Sequence, residues 1–173
     1  MQSTALRRAL VGSSIVWALL LPLAPFAASQ PAPAHLWYVL GMLIYGAGSV
    51  VCHQLPERSF ILWSAQWPVC ARCTGIYAGA AVAAIFATVR LKRIRLRPDT
   101  TQAGFTSQQA RLMLAVAAAP TALTLAYEWT TGTTPSNAVR ALSGAPLGAA
   151  IGLIIVGALR DPDARQASRA GGI

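Results

Sequence analysis

Five long uncharged stretches constrain this chain more than any motif in it: Ala9–Ala28, Leu36–Val51, Thr74–Val89, Leu112–Tyr127 and Ala141–Leu159. Charged residues make up only 11% of the 173 and hydrophobic ones 55%, with a mean hydropathy of +0.51. A water-soluble domain cannot cover itself with so few charges, so these stretches face lipid. Several are shorter than the ~20 residues that carry a helix across a bilayer at about 1.5 Å per residue. Each can draw on neutral neighbours, so they read as spans that start or end near the interface. The expected fold is all-α, a polytopic membrane bundle of four to five transmembrane helices. Its spans lie at about 9–28, 36–51, 72–89, 112–127 and 141–159, and residues 1–173 form one membrane domain with no room for a separate soluble one.

The formal net charge of +9 does not point to nucleic acid. Six of the fourteen basic residues, Arg90, Lys92, Arg93, Arg95, Arg97 and Arg111, sit in one connection, and Arg160, Arg165 and Arg169 follow the last span. Basic segments flanking membrane helices mark the cytoplasmic side, and anionic lipid headgroups are their expected neighbours. Five spans with that connection and the tail inside leave Arg7, Arg8, Arg58, Arg72 and Arg140 outside. The Cys52–Val69 loop and the Glu128–Arg140 connection then share one face, and the preferred orientation makes that face extracytoplasmic. Arg7 and Arg8 pull the other way: Met1–Ser29 has a basic start, an apolar run and then Phe-Ala-Ala-Ser, the look of a secretory signal. Residues 1–28 therefore read as a span, an anchor or a cleaved leader, and the sequence leaves that open.

Chemistry concentrates in one loop. All three cysteines lie there, Cys52 beside His53 and Cys70 with Cys73 in Cys-Ala-Arg-Cys. Cys70 and Cys73, three apart at a helix start, can turn two sulfurs toward one ion, and a helix N-terminus favours thiolate. Cys52 supplies a third sulfur and His53 a fourth ligand or a group behind the ligands, since adjacent residues bind one ion awkwardly. Zinc fits mixed thiolate and imidazole, and copper(I) fits three soft sulfurs. The same atoms suit a membrane thiol-disulfide oxidoreductase using the Cys70/Cys73 pair. They also suit a purely structural role, as a Cys70–Cys73 or Cys52–Cys73 disulfide or as buried thiols. No Ser-His-Asp set, carboxylate pair, phosphate loop or His-Glu-x-x-His motif supports a particular catalysis.

Charges at the same face form a second candidate set: Glu57, Arg58, Arg72, Glu128 and Arg140, with Gln54 and Asn137 as polar neighbours. A charge near hydrocarbon costs about 2.5–3.5 kcal/mol on insertion scales, so pairing is expected, with Arg72 reaching Glu57 or Glu128. A pocket in which Arg58, Arg72 and Arg140 hold a phosphate, a carboxylate or a lipid headgroup is the alternative, and transport is compatible with either. His35 stands a full helix away from Cys52, and the five tryptophans read as interfacial belt residues. Pro22 and Pro25 interrupt the first stretch, Ser136-Asn137 forms an N-cap for the last helix, and Pro120 suggests a kink in the fourth. Gly75 and Gly79 match the spacing of Gly144, Gly148 and Gly152, which would let the third and fifth spans pack closely.

Taken together, Cys52-His53-Gln54-x2-Glu57-Arg58-Ser59-Phe60 and Pro68-Val69-Cys70-Ala71-Arg72-Cys73-Thr74-Gly75-Ile76-Tyr77-x-Gly79 resemble an uncharacterised family of small prokaryotic membrane proteins. That family's signature is Cys-His-Gln followed by Cys-x-Arg-Cys-x-Gly. Ser136-Asn137-x2-Arg140-x3-Gly144-x3-Gly148 is similar to its last helix, so the resemblance runs from about His35 to Gly152. It implies a multi-pass protein of the cell (inner) membrane and brings no established activity with it. One departure stands out: where family members carry Asp-Gly-x-Thr-Gln, this chain reads Glu128-Trp129-Thr130-Thr131-Gly132, keeping an acid and lacking the glutamine.

Overall fold

The computed structural model describes residues 2–31, 35–95 and 105–159. Arg97 and the tail arginines Arg160, Arg165 and Arg169, on which the topology argument leans, lie outside the described residues. Among the described residues five helices make the bundle: α1 (Gln2–Ala28), α2 (His35–Val51), α3 (Ala71–Arg95), α4 (Ser107–Thr131) and α5 (Asn137–Ala158). Four contain segments long and apolar enough to cross a bilayer, namely Ala5–Ala28, Ala71–Val89, Ser107–Thr131 and Asn137–Ala158, while α2 is a shorter apolar helix of 17 residues. Leu19, Val50, Val116, Leu123 and Leu142 lie exposed on the outside of this bundle, a surface suited to lipid and not to water. The protein is thus an all-α multi-pass membrane bundle.

α1 does not break at its prolines; the helix continues through Pro22 and Pro25, with Pro25 fully buried. Each proline removes one backbone donor, a loss that membrane helices tolerate where neighbouring helices pack against the freed carbonyls. Here α1 packs on α2 and α3, with Leu21 and Ala24 buried and Trp17 meeting Tyr77 edge to face at 5.9 Å between ring centres. α4 likewise runs through Pro120.

The closest seam in the bundle joins α3 to α5, and α4 also packs on α5. At its N-terminal end the seam is built on glycine backbone. A Cβ on Gly75 would collide with the Ala141 carbonyl, and one on Gly148 would collide with the Ile76 carbonyl, so each helix inserts its backbone where the other has only hydrogen. This seam sets the height at which the first turns of α3 and α5 meet.

Between α2 and α3 the chain makes a 3-10 turn at Pro56–Arg58 and a two-residue hairpin, β1 (Ile61–Leu62) against β2 (Ala65–Gln66), paired Ile61 to Gln66. Its turn residues Trp63 and Ser64 both have positive φ, 51° and 62°, as a right-twisting two-residue hairpin demands. The segment is tied down by side chains. Gln54 donates to the Tyr45 and Pro68 carbonyls at 2.8 and 2.7 Å, and Gln66 donates to the Gln54 carbonyl at 2.6 Å. Asn137, the first residue of α5, donates to the Ser59 carbonyl at 2.8 Å. Ser136 caps α5 by accepting from the Val139 amide, so Ser136→Ala should lower stability by about 1 kcal/mol in detergent-solubilised thermal unfolding.

Candidate functional site

Three elements end at one face of the bundle. Cys52 follows the last residue of α2, its amide bonded to the Gly48 carbonyl at 2.9 Å. Gly48 lets the returning chain through, since a Cβ there would strike the Pro68 carbonyl. Pro68 and Val69 are buried, and Cys70 is left at the N-cap of α3, where its carbonyl accepts from the Thr74 amide at 2.9 Å. Cys73 falls in the first turn above it.

The result is a group of three free thiols, Cys52, Cys70 and Cys73, whose sulfurs all lie within 4.8 Å of one another. The Cys70 amide donates to the Cys52 Sγ at 3.1 Å. Leu21, Val69, Trp17, Trp67 and Tyr77 pack around the group and keep it in an apolar shell. A hydrogen bond from the Cys73 thiol holds the Cys70 thiol down to about 5; burial opposes this, and the Cys73 and Arg72 backbone amides and Cys52 reinforce it.

His53 is exposed and stands outside the three-thiol group, although it lines the same cavity. At the end of α2 only Cys52 of the two neighbours turns into the bundle, where it is buried, and His53 is left exposed. His35 lines a separate cavity between α1 and α2. Trp17 and Trp67 are half-buried against the Leu21, Cys52 and Val69 cluster.

Beside the thiols stands a charged cluster. Glu128, in the last turn of α4, is buried, and its Oε1 accepts from Arg72 Nη2 at 2.8 Å and from Arg140 Nε at 3.1 Å. Arg58 Nη1 lies 4.0 Å from the other carboxylate oxygen, and Arg72 also donates to Thr124 Oγ1 at 3.3 Å. Arg72 thus pairs with Glu128, the second of its two expected partners; Glu57 is exposed on the 3-10 turn. Gln54 and Asn137, expected as polar partners of the arginines, spend amide donors on backbone carbonyls and brace the loop. Gln66 and Tyr45 complete the bracing of the loop and Thr124 supports Arg72; none of the three is marked by a pattern in the sequence, and each matters only through a contact made across the fold.

A cavity of about 370 Å³ brings both sets together, its wall including Cys52, His53, Gln54, Arg58, Cys70, Arg72, Cys73 and Arg140. All four proposed metal ligands and four of the seven other polar candidates line it. Glu57, Glu128 and Asn137 do not.

Comparison with known proteins fits this picture. Residues 52–154, which carry every residue of the site, match the profile of a family described as predicted membrane protein (DUF2085). A 73-residue stretch is 37% identical to an uncharacterized protein of Methanocaldococcus jannaschii, covering 42% of this chain and 47% of that protein. A 30-residue stretch is 57% identical to an uncharacterized protein of Methanothermobacter thermautotrophicus, covering 17% of this chain and 27% of that one. The chain therefore spans about half or less of the relatives it matches. No solved structure matches it.

Proposed function

The chain belongs to the DUF2085 family of predicted membrane proteins, and we propose that its Cys52–Cys70–Cys73 group binds one thiophilic metal ion, zinc or copper(I). The observation that carries this reading is the convergence of three sulfurs within 4.8 Å from two separate segments, in an apolar shell. A single disulfide needs two of them and leaves the third unexplained. Three thiolates complete a copper(I) site and leave zinc one position for a ligand from the cavity, where His53 stands. The glycine-sealed backbone crossing of Gly48 under Pro68 fixes the Cys52 segment against the chain that leads into Cys70 and so pre-forms the ligand set. On the charge argument, the site faces the extracytoplasmic side.

Protein purified in mild detergent without chelator should contain about one zinc or copper per chain. Cys52→Ser and Cys73→Ser should each lose it, and chelation should lower the thermal unfolding temperature, because ion binding and folding are coupled. Metal-free protein with one titratable thiol per chain would sink this reading. It would leave Cys70 and Cys73, at the first turn of α3, as an oxidoreductase pair whose reduction potential is the next measurement.

A further inference from the structure

The arginine cluster carries more charge than its carboxylate can balance. Arg58, Arg72 and Arg140 all stand within 4.0 Å of Glu128, three positive charges against one negative. Arg140 is the extreme case, with its side chain only 2% exposed. Its Nη1 and Nη2, together with Arg58 Nε and Arg72 Nε, are buried and find no acceptor among the described residues. An unpaired buried guanidinium group is costly to keep. The helix ends deepen the imbalance: Arg72 and Arg140 sit in the first turns of α3 and α5, where the helix dipoles add positive potential and would ordinarily disfavour a cation. Two helix N-termini and three arginines thus converge on one cavity wall, which is the arrangement that favours an anion.

We propose that the cavity walled by Arg58, Arg72 and Arg140 is a binding site for a doubly charged phosphate, either inorganic phosphate or the phosphomonoester head of a lipid. Charge selects the class. Two uncompensated positive charges match a dianion, and a phosphate oxygen set accepts from several guanidinium N–H groups at once. A carboxylate or a phosphodiester brings only one negative charge. The thiols line the same cavity, but Arg58, Arg72 and Arg140 pair with Glu128 and none of them with a cysteine among the described residues, so the two sets are tested apart by removing the metal.

The test uses the full chain in nonionic detergent, with and without chelator, titrated calorimetrically with sodium phosphate at constant ionic strength and with acetate as the monoanion control. A parallel arm uses phosphatidylcholine nanodiscs with and without phosphatidate, read by native mass spectrometry. Phosphate or phosphatidate should bind at least tenfold more tightly than acetate or plain phosphatidylcholine, equally with and without chelator. Binding to phosphate in detergent identifies the free ion as the source, and retention of phosphatidate alone identifies a lipid head. Arg140→Lys keeps the charge and loses the fork, and should weaken binding at least tenfold. Should that variant misfold, Arg58→Gln serves instead, since Arg58 is 42% exposed and only at the edge of the cluster. Equal affinity for phosphate and acetate overturns the proposal, as does a folded Arg58→Gln protein that binds phosphate unchanged. Phosphate binding seen only after chelation also overturns it, because the thiolates and their ion would then be the natural counter-charge.

Discussion

Replacing Glu128 with glutamine is expected to be among the most destabilising single changes in the chain, costing roughly 3–5 kcal/mol, the range for stripping one partner from a buried ion cluster. The loss is large because the variant keeps three guanidinium groups in place around a site that no longer carries charge. Against a total stability of about 5–15 kcal/mol, that is a substantial fraction of the fold. Arg58→Gln removes a positive charge from the rim of the same cluster and should cost no more than about 1 kcal/mol, the scale of exposed pairs. Unfolding by denaturant in mixed micelles, with both variants beside the wild type, reads the difference. A Glu128→Gln protein as stable as Arg58→Gln would mean that solvent, not the carboxylate, compensates the arginines. The double change Glu128→Leu with Arg140→Met separates charge from packing. It should be less destabilising than Glu128→Gln, since it removes the most buried of the three arginines together with the carboxylate and leaves only Arg72 and Arg58 to be compensated.

How much of this was legible in the sequence depends on what kind of contact each feature needs. The bundle is legible because a run such as Ala141–Leu159 has few places to go except lipid. Ser136 as the cap of α5 is legible because capping is local, a side chain reaching three residues along its own chain. The three sulfurs are legible as a set by residue type. The position of His53 is not, since which neighbour faces inward is decided by how the loop packs on Leu21 and Val69. The hairpin turn at Trp63–Ser64 gives no warning, because positive φ at both positions ordinarily calls for Asn or Gly. Trp17 reads as a belt residue from composition, and its packing on the Leu21, Cys52 and Val69 cluster follows only from how α1 meets α3. Glu128 stands on the borderline. Its need for a cation follows from its place near hydrocarbon, but the choice of Arg72 and Arg140 over the solvent is made by the α3–α5 seam.

That seam yields the second large effect, in which one chemical change is expected to act with opposite signs at two glycines. Gly46→Ala, in the middle of α2, adds a methyl with nothing within 4 Å of it. Alanine is a better helix former than glycine by about 1 kcal/mol, so stability should hold or rise. Gly148→Ala adds the same methyl against the Ile76 carbonyl, where the obstacle is backbone and cannot rotate away. Ordinary overpacking costs about 1–3 kcal/mol, and here relief requires that α3 and α5 separate, so the cost should reach or exceed the top of that range. Separation also moves the two first turns that bring Arg72 and Arg140 to one carboxylate oxygen. The Gly148→Ala protein should therefore lower the unfolding temperature and let Cys70 and Cys73, at the base of α3, react faster with a water-soluble maleimide. Gly46→Ala should change neither in that direction. Equal maleimide rates in a Gly148→Ala protein that is clearly destabilised would show that the thiol group is held by the Cys52–Val69 loop alone. The α3–α5 seam would then be a stability element with no part in shaping the site.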